Sequence, residues 1–331
     1  MRKRFFSKLA IVMSTALAVS GCFCPIDKAF VNAETIQDED DSYYDDDSDY
    51  DDSYDDSTDD SYDDSTDDSY DDSTDDSDNE ETTGTKIDDI KLSSSELQAF
   101  VKESDSDENG YISQSEAEKI TYVSISKKAS QSDLTQIIKL YPNISELMWN
   151  AGTLTKLTFP KNNIKRLNIT SKAASQLVIS GINQKLNNLS YTAQGSKKYA
   201  FNFAKGSAYK KVEDFNLMGK QINGVKLSNA EVGTLYVTDT SAKKIDASSD
   251  KIINLWVQNN KKLSSFTVRN CSKLKSVSCA YNALSRLNIS GCPKLLSVSC
   301  DRNKLTKLDI SKYKNLKSIS CGQNKLKKFD I

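Results

Sequence analysis

From residue 142 onward, apolar residues return in a fixed frame. Leu274-x-x-Val277-x-Cys279-x-x-Asn282-x-Leu284-x-x-Leu287-x-Ile289 recurs 21 residues later as Leu295, Val298, Cys300, Asn303, Leu305, Leu308 and Ile310. A third copy runs Leu316, Ile319, Cys321, Asn324, Leu326, Phe329, Ile331. The frame extends backwards with small slips, through units headed by Ile252, Val232 and Val212, and more loosely by Leu186, Ile164 and Ile144, giving about nine units. Inside each unit the apolar positions alternate with polar ones, the period of a strand with one face buried. One unit of 20–22 residues cannot bury its own apolar side chains, but stacked units share a continuous core. The pattern therefore predicts a mainly β fold of stacked, strand-bearing units.

The same frame assigns roles to its polar and sulfur-bearing positions. Asn282, Asn303 and Asn324 should satisfy turn backbone groups in a ladder. Cys279, Cys300 and Cys321 form an inner column and Cys271 with Cys292 a second, where Cys acts as a small buried hydrophobe. Disulfides between rungs are the other reading, and a reduced core ladder is favoured. The unit over residues 186–212 is about five residues too long and predicts a bulging loop around Gly195-Ser196-Lys197-Lys198. At Ile331 the frame stops on an apolar strand residue, which predicts an uncovered edge that meets a partner unless the chain is a fragment.

Upstream the pattern changes to helical spacing. Leu97, Phe100 and Val101 follow Ser93-x-x-Glu96, which reads as a capping box, and Ser132 to Leu140 reads as a short capping helix. Ile120-x-x-Val123-x-Ile125 reads as the first strand of the array. Between the helical patterns, Asp105-Ser106-Asp107-Glu108-Asn109-Gly110-Tyr111-Ile112-Ser113-Gln114-Ser115-Glu116 matches a twelve-residue EF-hand loop. Ca²⁺ takes six to eight oxygens, and the spacing offers side chains from Asp105, Asp107 and Asn109 and the backbone carbonyl of Tyr111. Ser113 would act directly or through water and Glu116 with both oxygens, while Gly110 takes the sharp turn. A Ca²⁺-free acidic turn is the weaker reading, because chance placement of Asp does not also supply Gly110 and Glu116. No second loop is found, so a lone site is expected to bind weakly, about 10⁻⁴–10⁻³ M.

Charge separates the chain into an acidic arm and a basic body. Residues 1–84 hold 27 of the 47 acids and 5 of the 44 bases, which leaves residues 85–331 with 39 bases, 20 acids and a net of +19. Residues 34–81 carry 26 acids and no base, in repeats such as Asp-Asp-Ser-Tyr-Asp-Asp-Ser-Thr, and self-repulsion predicts a disordered stalk. Fully stretched, it reaches about 160 Å. A bare spacer is favoured over a cation sponge or a pseudo-ligand for the body.

Arg2, Lys3, Arg4 and Lys8 before the apolar stretch Leu9 to Val19 predict an export signal rather than a membrane span. Val19-Ser20-Gly21-Cys22 resembles a lipobox, with lipidation at Cys22, and Val31-Asn32-Ala33 fits ordinary signal cleavage. The lipidated form is favoured, and either site predicts export. The sequence contains no His, which excludes His-based nucleophilic triads and His-ligated zinc.

The repeat resembles the leucine-rich repeat family, L-x-x-L-x-L-x-x-N-x-L, over roughly residues 142–331. With an export signal and an EF-hand-like loop, the plan is similar to surface or secreted leucine-rich-repeat proteins of Gram-positive bacteria such as internalins. The resemblance implies a right-handed solenoid with a parallel strand in every unit, and a lipid-anchored or secreted location at the cell surface. The expected organisation is a signal peptide at 1–33, a stalk at 34–84, a calcium module at 85–125 and the solenoid with its N-terminal cap at 126–331.

Function is then expected from the outward strand positions. The central column is Met148, Asn168, Ser190, Asn216, Tyr236, Trp256, Ser278, Ser299 and Ser320. One flanking column runs from Glu146 and Arg166 through Asp214, Thr234 and Asn254 to Ser318, and the other from Asn150 through Met218 and Gln258 to Gly322. Only Arg166 is basic among these 27 positions, which argues against nucleic acid. Trp256 and Tyr236, with Met218, Asn254 and Tyr281 nearby, form a candidate patch for an extracellular glycan or protein. A face with two incidental aromatics is the equally weighted bland reading. The basic flanks read either as a non-specific surface for anionic wall polymers or simply as what keeps the body soluble. The chain reads as a non-catalytic binder with Ca²⁺ as its cofactor. A calcium-dependent polysaccharide-active enzyme on a β-solenoid is the alternative, disfavoured because no carboxylate pair converges.

Overall fold

The computed structural model describes residues 83–227 and 230–330. Cys22, both cleavage sites, the Asp/Ser/Tyr repeats and Ile331 lie outside the described residues. The described chain is a parallel β-solenoid. Ten strands stack in one sheet: Tyr122–Ser124, Glu146–Gly152, Arg166–Ser171, Leu186–Ala193, Lys211–Met218, Glu231–Thr238, Asn254–Gln258, Ser276–Ser278, Ser297–Ser299 and Ser318–Ser320. The last steps are 21 residues each, since Ser276, Ser297 and Ser318 pair directly. Tyr122–Ser124 pairs with Glu146–Gly152, so the sheet starts inside the segment assigned to the calcium module.

A second parallel sheet, unread in the sequence, covers the opposite side of the rungs. It contains Tyr199–Asn202, Ile222–Lys226, Lys244–Asp246, Ser265–Arg269 and Asn288–Ser290. Two shorter parallel pairs, Lys156–Thr158 with Val178–Ser180 and Lys307–Asp309 with Lys328–Asp330, continue the same theme. The second half of the repeat, as in Leu287-x-Ile289 and Leu308-x-Ile310, supplies these strands. Between the sheets lies one continuous apolar core, including Leu235, Leu255, Val257, Val268 and Leu274, all fully buried.

The turns carry the expected asparagine ladder. The amide of Asn303 donates to the carbonyls of Cys279 at 2.8 Å and Cys300 at 3.0 Å, tying its own turn to the previous rung. Its oxygen accepts from the Leu284 N–H at 3.0 Å. Asn282 and Asn324 repeat the arrangement one rung away on either side. Each side chain therefore satisfies buried backbone groups that the sheets do not reach. Cys271, Cys279, Cys292 and Cys300 are buried and Cys321 half-buried, and all five are free thiols. Burial holds the Cys279 thiol well above its ordinary pKa and pushes Cys300 up to about 12.

The over-long unit is accommodated in part by aromatic packing. Residues 194–198 form an irregular segment, and the chain then returns as Tyr199–Asn202 and a 3₁₀ turn at Ser207–Tyr209. Tyr191, Phe201, Phe203, Tyr209 and Phe215 meet there, Phe201 against Phe203 at 5.3 Å and against Tyr209 at 5.1 Å, in edge-on geometry. Large rings fill the volume that a longer rung encloses.

Three short helices close the N-terminal end: α1 (Ser95–Ser104), α2 (Gln114–Lys119) and α3 (Gln131–Leu140). Among the described residues no helix is long and apolar enough to cross a membrane. The expected Ser93/Glu96 capping box does not form. Ser94 caps α1 and accepts from the Leu97 N–H. Both supposed partners are used in tertiary contacts instead. Ser93 donates to Asp133 through N–H and Oγ, each at 2.6 Å. Glu96 accepts from the N–H groups of Ser126 at 3.0 Å and Lys127 at 2.8 Å.

Candidate functional site

The loop between α1 and α2 is built by its own acids. Asp105 accepts from the backbone N–H of Asn109 at 3.2 Å and of Gly110 at 2.9 Å. Asp107 accepts from the same Asn109 N–H at 3.2 Å, and Asn109 Oδ1 accepts from Tyr111 N–H at 2.8 Å. These bonds wind the chain into a tight coil, and Gly110 completes it at φ +84°, a conformation that favours glycine. Ser113 caps α2 in a reciprocal capping box with Glu116. Tyr111–Ile112 pairs antiparallel with Thr85–Lys86, so a strand from just upstream occupies the outer side of the loop. That pairing was not legible in the sequence, because two residues carry no period.

Carboxylate oxygens of Asp105, Asp107 and Glu116 lie within 4.8 Å of one another. Among the described residues none of the three forms an ion pair with Lys or Arg. Three hard, anionic donors converging without a cationic side chain fit a divalent cation such as Ca²⁺. Glu116 is buried, and burial by itself would raise its pKa. Hydrogen bonds from Ser106 and Ser113 outweigh that and hold it down at about 2. Oε1 accepts from Ser106 N–H at 2.5 Å and Oγ at 2.7 Å, and Oε2 from Ser113 N–H at 3.0 Å and Oγ at 2.9 Å. The carboxylate is thereby kept ionised and fixed in orientation, as a two-oxygen metal ligand requires.

The loop is wired to the solenoid. Phe100 of α1 packs edge-on against Tyr141 at 5.7 Å, and Ser104, at the end of α1, is hydrogen-bonded to the Tyr141 hydroxyl. Asp133 is fully buried in α3; its carboxylate accepts three hydrogen bonds from Ser93 and Ser130, and its own N–H donates to Ser130 Oγ. Burial would raise its pKa, but the Ser93 and Ser130 donors lower it overall.

On the ten-stranded sheet the columns pair in the register that the frame gives, although Asn216 and Ser278 of the central column are buried rather than outward-facing. Met148 pairs with Asn168, Asn168 with Ser190, Ser190 with Asn216, Asn216 with Tyr236, Tyr236 with Trp256, Trp256 with Ser278, and the serines follow. Tyr236 and Trp256 stand nearly parallel, 14° apart, with ring centroids separated by 6.2 Å. Both are half-buried rather than fully exposed. Asn254 donates to Thr234 at 3.4 Å, and Gln258 donates to Ser278 at 2.5 Å. Met218 is in register with Thr238, in the flanking column beside that of the aromatic pair.

Tyr281 lies apart from this group, at the corner three residues beyond Ser278. It is 46% exposed, and the Arg302 guanidinium sits 4.7 Å above its ring. Tyr281, Arg302 and Gln323 share a turn column with Asp239 and Asn259, and all five have φ between 52° and 59°. Asp and Asn adopt this region readily, whereas Tyr, Arg and Gln do so at a cost. Sequence reading missed Arg302, because a turn residue gives no sign of its φ.

Ionisable groups on the sheet do not converge. Arg166 pairs with Glu146 at 3.4 Å. Asp214 is two rungs away from Arg166, in line with Asn188 and Thr234. Burial raises its pKa, with only partial opposition from a Thr234 hydrogen bond.

No family model matches the chain, and neither the curated proteins nor the solved structures yield a match.

Proposed function

We propose that the chain is a non-catalytic, exported interaction protein of leucine-rich-repeat type, whose ten-stranded face binds a neutral glycan or protein loop. One observation carries this: Tyr236 and Trp256 stack in register in the middle of a face whose other outward positions are mostly neutral and hydrogen-bonding, with Glu146, Arg166 and Asp214 on other rungs. Aromatic pairs of this kind bury large apolar area while keeping polar neighbours for orientation. On the next rung Ser278 replaces the aromatic, so the outer side of Trp256 borders a column of small residues that a sugar ring or a planar side chain can overlie. The EF-hand-like loop binds Ca²⁺ through Asp105, Asp107, Asn109, Tyr111, Ser113 and Glu116, and stiffens the base through α1 and Tyr141. The export signal, with lipidation at Cys22, places the molecule at the cell surface.

The test is a binding screen against immobilised neutral glycans and extracellular proteins, run with and without Ca²⁺, comparing the unaltered chain with Trp256→Ala. A ligand bound by the unaltered chain and weakened about tenfold or more in the variant, at an unchanged thermal midpoint, supports the patch. Equal binding by both proteins overturns it.

A further inference from the structure

The strongest unassigned feature lies beside the last rungs, before the strands of the ten-stranded sheet. Lys275, Lys294, Lys314 and Lys317 surround a groove of about 490 Å³, whose floor includes Leu296 and Leu316. All four lysines are exposed, and both leucines are half-buried. No acid lines the groove, and among the described residues none of the four lysines forms an ion pair.

Backbone bonds set the spacing of these charges. Leu296 N–H donates to the Lys275 carbonyl and Lys317 N–H to the Leu296 carbonyl, both at 2.8 Å. Lys275 and Lys317 thus stand in one column, two rungs apart, which is about 10 Å at the usual strand spacing. Lys294 comes from the intervening rung and Lys314 from the last one. The positive line therefore runs along the axis of the array, across the strands rather than along any one of them. Four like charges gathered on an apolar floor repel one another, and that repulsion is relieved when anionic groups lie between them.

The geometry points to a binding site for a linear polyanion whose charges are phosphate groups, lying in this groove parallel to the axis of the array. The groove contains Lys and no Arg. The compact ammonium of Lys engages phosphate oxygens as a point charge, without the two-pronged geometry that Arg offers to carboxylate and phosphate alike. An extended chain also matches a line of charges better than a single small anion, which would engage only one or two of them. The site shares no residue with the aromatic patch, so either can fail without the other.

The probe is inorganic polyphosphate, titrated into the full chain at low and at physiological salt, with poly-glutamate as the carboxylate comparison. Two charge-matched variants separate a built site from general basicity. One is Lys275→Gln, Lys294→Gln, Lys314→Gln and Lys317→Gln together. The other is Lys161→Gln, Lys165→Gln, Lys172→Gln and Lys210→Gln, which are also exposed. The groove variant is expected to lose about tenfold or more in polyphosphate affinity and to show a flatter salt dependence, while the other variant changes less than about threefold. Lys294→Glu alone, which puts an anion into the groove, should weaken binding without altering the thermal midpoint. Equal losses in the two quadruple variants, or poly-glutamate binding as tightly as polyphosphate, would overturn the site.

Discussion

Glu116 shows how a single side chain can serve both fold and ligand. Each of its oxygens already accepts two hydrogen bonds, Oε1 from Ser106 and Oε2 from Ser113, which fills its lone pairs, so two-oxygen binding of a cation requires serine hydroxyls to turn away. Its pKa is lowered from 4.5 to about 2, so it stabilises the fold at neutral pH, and this is lost as pH falls from 4.5 towards 2. Denaturant midpoints measured from about pH 6 down to about pH 3 should therefore fall, and Glu116→Gln should flatten part of that fall. Glu116→Gln should also remove Ca²⁺-dependent protection of residues 93–125 from protease. Digestion of the unaltered chain that is indifferent to chelator would reject the metal site.

At the scale of elements, the N-terminal cap depends on acids that reach across it. Asp133 begins α3 and simultaneously holds the segment ahead of α1, through Ser93. Replacing it with Ala removes the acceptor of three hydrogen bonds from exposed Ser93 and half-buried Ser130, and a loss of about 1–3 kcal/mol in unfolding free energy is expected by denaturant titration. Asp133→Asn should recover only part, since the charge-assisted character goes with the carboxylate. The asparagine ladder makes a parallel case within the array. Asn303→Ala orphans the buried Leu284 N–H and removes one of two asparagine donors from each of the Cys279 and Cys300 carbonyls, and should cost about 1–3 kcal/mol. Asn143, whose amide reaches only the Glu118 carbonyl from an exposed position, should tolerate Ala with a change below about 1 kcal/mol.

Across the whole molecule, each rung leans on its neighbours, so stability is a sum of local interfaces. Cys279 and Cys300 sit in that shared interior with thiols that burial keeps protonated, and native protein should leave them unmodified by an alkylating reagent while half-buried Cys321 reacts. Peptide mass mapping after native and denatured labelling distinguishes the two classes, and early modification of Cys279 would mean that the stack opens far more readily than its packing implies.

Much of this architecture was legible in the residues alone. A period of about 21 residues with alternation inside it has one economical solution, a stack of parallel strands. The pairing of Tyr236 with Trp256 followed from counting along that frame. The acids of the Asp105–Glu116 loop were legible for the same reason, since their spacing is a local property of twelve consecutive residues. Other features depend on atoms far apart in the chain. Ser93 and Glu96 satisfy the local rule for a helix cap, but stronger partners, Asp133 and the Ser126–Lys127 backbone, come within reach only after folding. The second sheet, the strand laid against Tyr111, the Arg302–Tyr281 contact and the lysine-lined groove likewise arise where separate turns are brought together. Periodicity and local spacing determined the rungs and their outward columns. Tertiary packing alone decided which polar groups meet between rungs, because hydrogen bonds and charges act over a few ångströms of space and are blind to distance along the chain.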